Sequence, residues 1–153
     1  MKKYAPSGLS ILRAFNSSSD NNMHLGLDIE VSGAISVVDA SGIIINPSDN
    51  DKVVIRHNLE TDGYYYYTGY FNIKKVAPHI EIIPKQLIGT SKSTDLKSID
   101  GRPIYYHFEI RRSTLKVDSY DEYSKLKILD PQPFTQLPTK QEKTALHSYN
   151  FTN

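Results

Sequence analysis

Short β-branched and aromatic runs recur along the middle of this chain at intervals of about ten residues, each closed by Gly, Pro, Asn, Asp or Ser. Ala34-Ile35-Ser36-Val37-Val38 leads into Ser41-Gly42, and Ile43-Ile44-Ile45 ends at Asn46-Pro47. Lys52-Val53-Val54-Ile55-Arg56-His57 follows, and then the tyrosine run from Tyr64 to Tyr67. Residues 80–83, 104–111 and 115–117 continue the series. No window of helical length carries an apolar stripe at 3.6-residue spacing, and only residues 119–125 suggest a short helix or turn. The pattern predicts an all-β domain, an antiparallel β-sandwich or barrel-like sheet. With 153 residues there is one core's worth of chain.

Residues 16–22 are polar and without periodicity, which predicts a loop. Apolar content falls after Pro131, so we expect one domain over residues 1–134 and a C-terminal strap or mobile tail over 135–153. The 18 basic and 17 acidic residues are interspersed and leave a net charge of +1, which offers no electrostatic case for nucleic acid or an anionic membrane. Without cysteine there is neither a disulfide framework nor a thiolate-ligated zinc finger. The N-terminus has lysines but no apolar stretch behind them, so no signal peptide is visible, and no run is long enough for a membrane span.

His24-Leu25-Gly26-Leu27-Asp28 sets an imidazole and a carboxylate four residues apart. On an extended chain such positions share a face, and Gly26 with Ile29-Glu30-Val31 favours extension over helix. Ile104 to Ile110 alternates as a strand and sends Tyr105, His107 and Glu109 to one side. Two histidines and one carboxylate suit a zinc site that keeps a fourth position open. Spacing alone leaves a second reading in place, with Asp28 in a turn and both histidines bonded to backbone.

Several segments, in order, resemble the lysostaphin-type (LytM) zinc metallopeptidases, which cut peptide cross-links of bacterial peptidoglycan. His24-Leu25-Gly26-Leu27-Asp28-Ile29 is similar to their first metal motif, His-x-Gly-x-Asp-Ile, and Tyr106-His107-Phe108-Glu109-Ile110 to the second, His-x-His-Phe-Glu-Ile. Gly8-Leu9-Ser10-Ile11 with Phe15 resembles their opening strand, and residues 37–44 their Val-x-Ala-x-x-Gly-x-Val turn. Val53 to Asn58 resembles a segment ending in His-Gly, Lys85-Gln86-Leu87-Ile88-Gly89 a Gly-Gln-x-Ile-Gly turn, and Leu129-Asp130-Pro131 the close of the domain.

The resemblance implies zinc held by His24, Asp28 and His107, a peptidoglycan peptide or other cell-wall component as partner, and a place in the bacterial envelope or outside the cell. The family's two further histidines are missing. The first position of His-x-His is Tyr105, and the Tyr-x-His-Leu segment matches Tyr67-Thr68-Gly69-Tyr70. Histidine near pKa 6.5 moves protons at neutral pH, whereas tyrosine near 10 only donates a hydrogen bond to a developing oxyanion. Losing a positioned acid–base group costs about 10²–10⁴ in rate.

The expectation is therefore a zinc metalloendopeptidase of weakened or altered activity. The alternative is an inactive pseudo-peptidase that serves as a scaffold or binds the cell wall or a protein partner. Tyr105 and His57 are the candidate catalytic groups left, with His57 also matching an ordinary family residue. Glu109 is expected to be structural, and His79 and His147 solvent-exposed. The residues from Tyr64 to Tyr67, with Tyr70, divide between core and surface, or line a peptide groove. A carbohydrate or nucleotide enzyme is disfavoured, since the sequence has no glycine-rich phosphate loop.

Overall fold

In the computed structural model, residues 2–16, 18–19, 22–77, 79–93 and 104–140 are described. Most of the apolar runs become strands: β1 (Ser10–Arg13), β4 (Leu27–Glu30), β5 (Ala34–Ser36), β6 (Gly42–Ile44), β7 (Lys52–His57), β8 (Tyr65–Phe71), β9 (Ile73–Lys75), β10 (Glu81–Ile82), β11 (Leu87–Ser91), β12 (Tyr105–Ser113) and β13 (Lys127–Leu129). The polar stretch expected to be a loop instead carries two short strands, β2 (Ser18–Ser19) and β3 (Asn22–Met23), paired antiparallel by backbone bonds that need no apolar side chain. Among the described residues one α-helical turn, α1 (Tyr120–Tyr123), interrupts the strands. An antiparallel sheet runs in the order β1-β4-β12-β8-β7-β6-β10. β13 joins β12 beyond β4, on the same edge, pairing Ile110 with Leu129 where β4 has ended at the Phe108–Leu27 pair. A smaller sheet, β5-β11-β9, packs over it.

Alternation sorts the large sheet's side chains onto two covered faces. One face carries Val53 and Ile55 of β7, Tyr66 and Tyr70 of β8, and Tyr106, Phe108 and Ile110 of β12, joined in the main core by Ile35, Ile73 and Ile88 of the small sheet. The other carries Val54, Tyr67 and Phe71, which make a second cluster with Ile45, Val117, Tyr120, Tyr123 and Leu126. Tyr66, Tyr67 and Tyr70 are all buried, on opposite faces, so the tyrosine run builds two cores instead of lining an open groove.

Residues 115–117 do not form the expected strand. They begin a strap, residues 114–126, that crosses the second face. The Val117 N–H donates to the Tyr67 hydroxyl at 2.9 Å, and Arg56 donates to the Val117 carbonyl at 2.9 Å and to Asp118. A strand neighbour is replaced by side chains, which period-two patterning does not reveal. The expected helical turn at 119–125 is present as α1, capped by the Ser119 hydroxyl, which accepts from the Glu122 N–H at 3.1 Å. At the C-terminal side, residues 137–140 run along β1: Ile11 donates to the Pro138 carbonyl at 2.8 Å and Lys140 to the Ile11 carbonyl at 3.0 Å. That covers an otherwise open sheet edge. Among the described residues no helix is long and apolar enough to cross a membrane.

Candidate metal centre

β4 and β12 are adjacent and antiparallel, with Asp28 opposite His107 in the register. The two motifs, far apart in sequence, are thereby placed side by side. His24 arrives by a different route from the one its spacing suggests. It lies before β4, and the chain turns at Gly26, whose φ is +152°. A Cβ at Gly26 would stand 2.4 Å from the Phe108 carbonyl oxygen and 2.8 Å from the His107 ring, so the approach of the two segments needs glycine. The result brings His24, Asp28 and His107 together, with one donor atom of each within 4.8 Å of the others.

The hydrogen bonds around these three residues fix which nitrogens face inward. His24 Nδ1 lies 2.9 Å from the Ala14 carbonyl, which only accepts, so that nitrogen carries the hydrogen and the neutral ring turns the lone pair of Nε2 inward. Nε2 is 3.1 Å from Asp28 Oδ1. His107 Nε2 lies 3.2 Å from Glu109 Oε2 and by the same logic donates, which leaves Nδ1 facing Asp28 Oδ1 at 3.0 Å. In their neutral tautomers the two rings and the carboxylate thus aim three lone pairs at one place. Such convergence requires positive charge, from protons or from a metal ion. Asp28 is 1% exposed and its Oδ2 has no hydrogen-bond partner.

Donors around tetrahedral zinc, bonded at about 2.0–2.1 Å, stand roughly 3.4 Å apart, close to the 3.1 and 3.0 Å that separate the two imidazole nitrogens from Asp28 Oδ1. The residues fit a divalent ion of that kind, each imidazole already oriented by an outer partner. In the metal-free protein, protons take its place. Burial works to lower the His107 pKa, but hydrogen bonds to Asp28 and Glu109 more than offset it and raise the value to about 9. Burial works to raise Asp28, and the bonds from His107 and His24 hold it below the ordinary carboxylate range.

Glu109 is fully engaged. Oε2 accepts from His107, while Oε1 accepts from the Tyr123 hydroxyl at 3.0 Å and from Arg111 Nε at 3.3 Å. Tyr105 shares the face of His107 by alternation, and the half-buried pattern of residues 105, 107 and 109 agrees. His57 does not join the site. It lies with Val53 and Ile55 on the opposite, main-core face, where its Nδ1 donates to the Ser41 carbonyl at 2.9 Å and its Nε2 accepts from the Thr68 hydroxyl at 2.7 Å. An intervening sheet excludes it from chemistry at Asp28. His79 is exposed, as expected, and His147 lies outside the described residues.

The packing around Gly69 was not anticipated. The Gly69 position faces the site opposite Glu109, and a Cβ there would stand 2.5 Å from the Tyr123 hydroxyl and 2.8 Å from the Phe71 ring. The place of a side chain at 69 is taken by Tyr123. The signal in the sequence is the Ser119-x-x-Glu122 cap, which starts a turn that puts Tyr120 and Tyr123 three residues apart on one side.

Compared by sequence, the chain matches no protein-family model and no curated protein. Compared by structure, it aligns with the antimicrobial peptidase lysostaphin from Staphylococcus simulans over 88% of its length at a TM-score of 0.54 and 20% identity. It has the lysostaphin fold. The aligned region is 53% of that lysostaphin chain, and 91% of the separate lysostaphin catalytic domain, which aligns at a TM-score of 0.51. The catalytic domain of the prophage-encoded M23 protein EnpA from Enterococcus faecalis, as a mutant, gives 0.53 at 13% identity, covering 84% of this chain and 95% of that one. A chain of the complex of SpoIIIAH and SpoIIQ gives 0.50 at 16% identity, covering 88% and 97%. The lysostaphin fold thus accounts for the all-β class and the antiparallel sheets expected from the sequence.

Proposed function

We propose that this chain is a zinc-binding, peptidase-like module that holds bacterial peptidoglycan peptides in the cell envelope or outside the cell, and cuts them slowly or not at all. The observation that carries it is the pairing of a complete inward-facing donor set with the loss of both acid–base positions. His24, Asp28 and His107 would hold the ion. When bound, zinc polarises a peptide carbonyl and acidifies water. A peptidase must also move that proton, and the chain's own residues give little help. Position 69 has no side chain, and its space is filled by Tyr123 and Phe71. Tyr105 donates but is a poor base at neutral pH. Glu109 accepts from three donors and cannot orient His107 while taking a proton.

The experiment is metal analysis of the purified protein, beside a peptidoglycan assay that separates binding from cleavage. One zinc per chain, absent in His107→Ala, with retained sedimentation alongside insoluble peptidoglycan and negligible solubilisation, is the expected result. Rapid cell-wall lysis by the wild-type chain would overturn it in favour of an active endopeptidase. That second reading draws on the complete ligand trio and on Tyr105 as a donor beside His107. A pseudo-peptidase scaffold for a protein partner draws support from the same fold in the SpoIIIAH–SpoIIQ complex. It predicts no association with peptidoglycan.

A further inference from the structure

We propose that Tyr123 is a positioning residue of the metal centre, acting through Glu109 on His107 from the space that Gly69 leaves vacant. This rests on the reading of His24, Asp28 and His107 as ligands. The bond chain is short and directed. The Tyr123 hydroxyl donates to Glu109 Oε1 at 3.0 Å, and Glu109 Oε2 accepts from His107 Nε2 at 3.2 Å. His107 in turn presents Nδ1 to Asp28. An ionised carboxylate only accepts, so two donors on Oε1, Tyr123 and Arg111, determine its rotation and keep Oε2 for the imidazole. With that contact the ring's hydrogen stays on Nε2, and Nδ1 keeps the lone pair a metal needs.

The tyrosine is itself held firmly. It is fully buried, and its ring packs against Tyr67 at 6.2 Å between centroids while Arg111 stands 5.0 Å above it. Its strap is pinned to the sheet by Arg56, by the Tyr67 hydroxyl and by Lys52 over the Tyr120 ring at 3.9 Å. Any residue at 69 larger than glycine would push the hydroxyl away, since a Cβ there already stands 2.5 Å from it. Gly69 and Tyr123 are in this sense one device: the absent side chain admits the phenol. The phenol thus occupies the place beside the site that a side chain at 69 would take, and from there it orients a ligand.

Cobalt(II) is the probe, its affinity measured by chelator competition and its coordination by visible absorption. Tyr123→Phe keeps the ring and loses only the hydroxyl. It should weaken cobalt binding about 10–100-fold and alter the absorption envelope, as loss of an outer partner does. Glu109→Gln should weaken it similarly, and the double variant should add little to either. A Tyr123→Phe protein that binds cobalt within about twofold of wild type, with an unchanged spectrum, overturns the proposal even if its melting temperature falls. Wild-type protein that takes up no cobalt or zinc overturns the ligand assignment itself, and this inference with it. If Tyr123→Phe does not fold, Glu109→Gln decides, since its unaltered affinity would break the same chain of bonds.

Discussion

Burial pushes the His57 pKa down to about 4, and its two ring nitrogens are already matched by Ser41 and Thr68. An unfolded chain binds a proton at this residue below about pH 6.5, while the folded one does so only near 4. Between those values the unfolded state holds more protons, so stability falls as the pH drops through the window, by up to about 3 kcal/mol. Urea unfolding of wild type and His57→Gln near pH 7 and near pH 4 should show a loss about 2–3 kcal/mol larger in wild type. Equal losses would place the acid sensitivity elsewhere.

Gly69 invites a second test at this scale. Gly69→Ala should cost about 1–3 kcal/mol by overpacking, and combining it with Tyr123→Phe should recover part of that cost. Strict additivity in the denaturation midpoints would mean that the two groups do not meet. His57 also shows where reading by residue stopped. It follows a run in which Val53, Val54 and Ile55 are all buried, so alternation of hydrophobicity could not say which face it joins. His24 and Asp28 were legible as a pair, but the Gly26 turn that unites them depends on the closeness of Phe108 and His107.

The strap is the element whose behaviour sequence pattern describes least well. Val117 is buried, yet its backbone N–H is satisfied by a tyrosine hydroxyl and its carbonyl by Arg56, partners separated from it by 50 and 61 residues. Strands pair with strands, so an alternating stretch such as Leu115-Lys116-Val117 reads as one more strand until the competing partners are known. The turn that follows is legible because its cap is local. Ser119 accepts from the Glu122 N–H, and Glu122 in turn accepts from the Asp118 N–H at 3.3 Å. Ser119→Ala should cost about 1 kcal/mol. Its signature is selective: faster hydrogen exchange at the Tyr123 and Ser124 amides, which donate to the Ser119 and Tyr120 carbonyls, with β7 and β8 unchanged. Uniform acceleration across the sheet would show that the strap unfolds only with the whole domain.

For the molecule as a whole, spacing of apolar runs foretold an antiparallel β class but not the order of the strands. That order decides that β4 and β12 are neighbours and that Asp28 meets His107 across 79 residues of chain. A metal held there joins segments that are remote in the unfolded state, so its binding energy is added to folding. With free zinc at about 100 times the dissociation constant, stability should rise by about 2.7 kcal/mol. The gain must depend on pH in a definite direction. His107 is protonated on both nitrogens up to about pH 9 in the metal-free protein, and the Nδ1 proton has to leave before that atom can bind. Zinc uptake therefore releases a proton, and the stabilisation should grow as the pH is raised from about 6 toward 9. Thermal melts with zinc and with chelator, across that range, measure it directly. In Asp28→Asn the charge that draws the ion inward is gone, and the two melting curves should coincide at every pH; a zinc-dependent shift that survives in this variant would locate the metal at other residues.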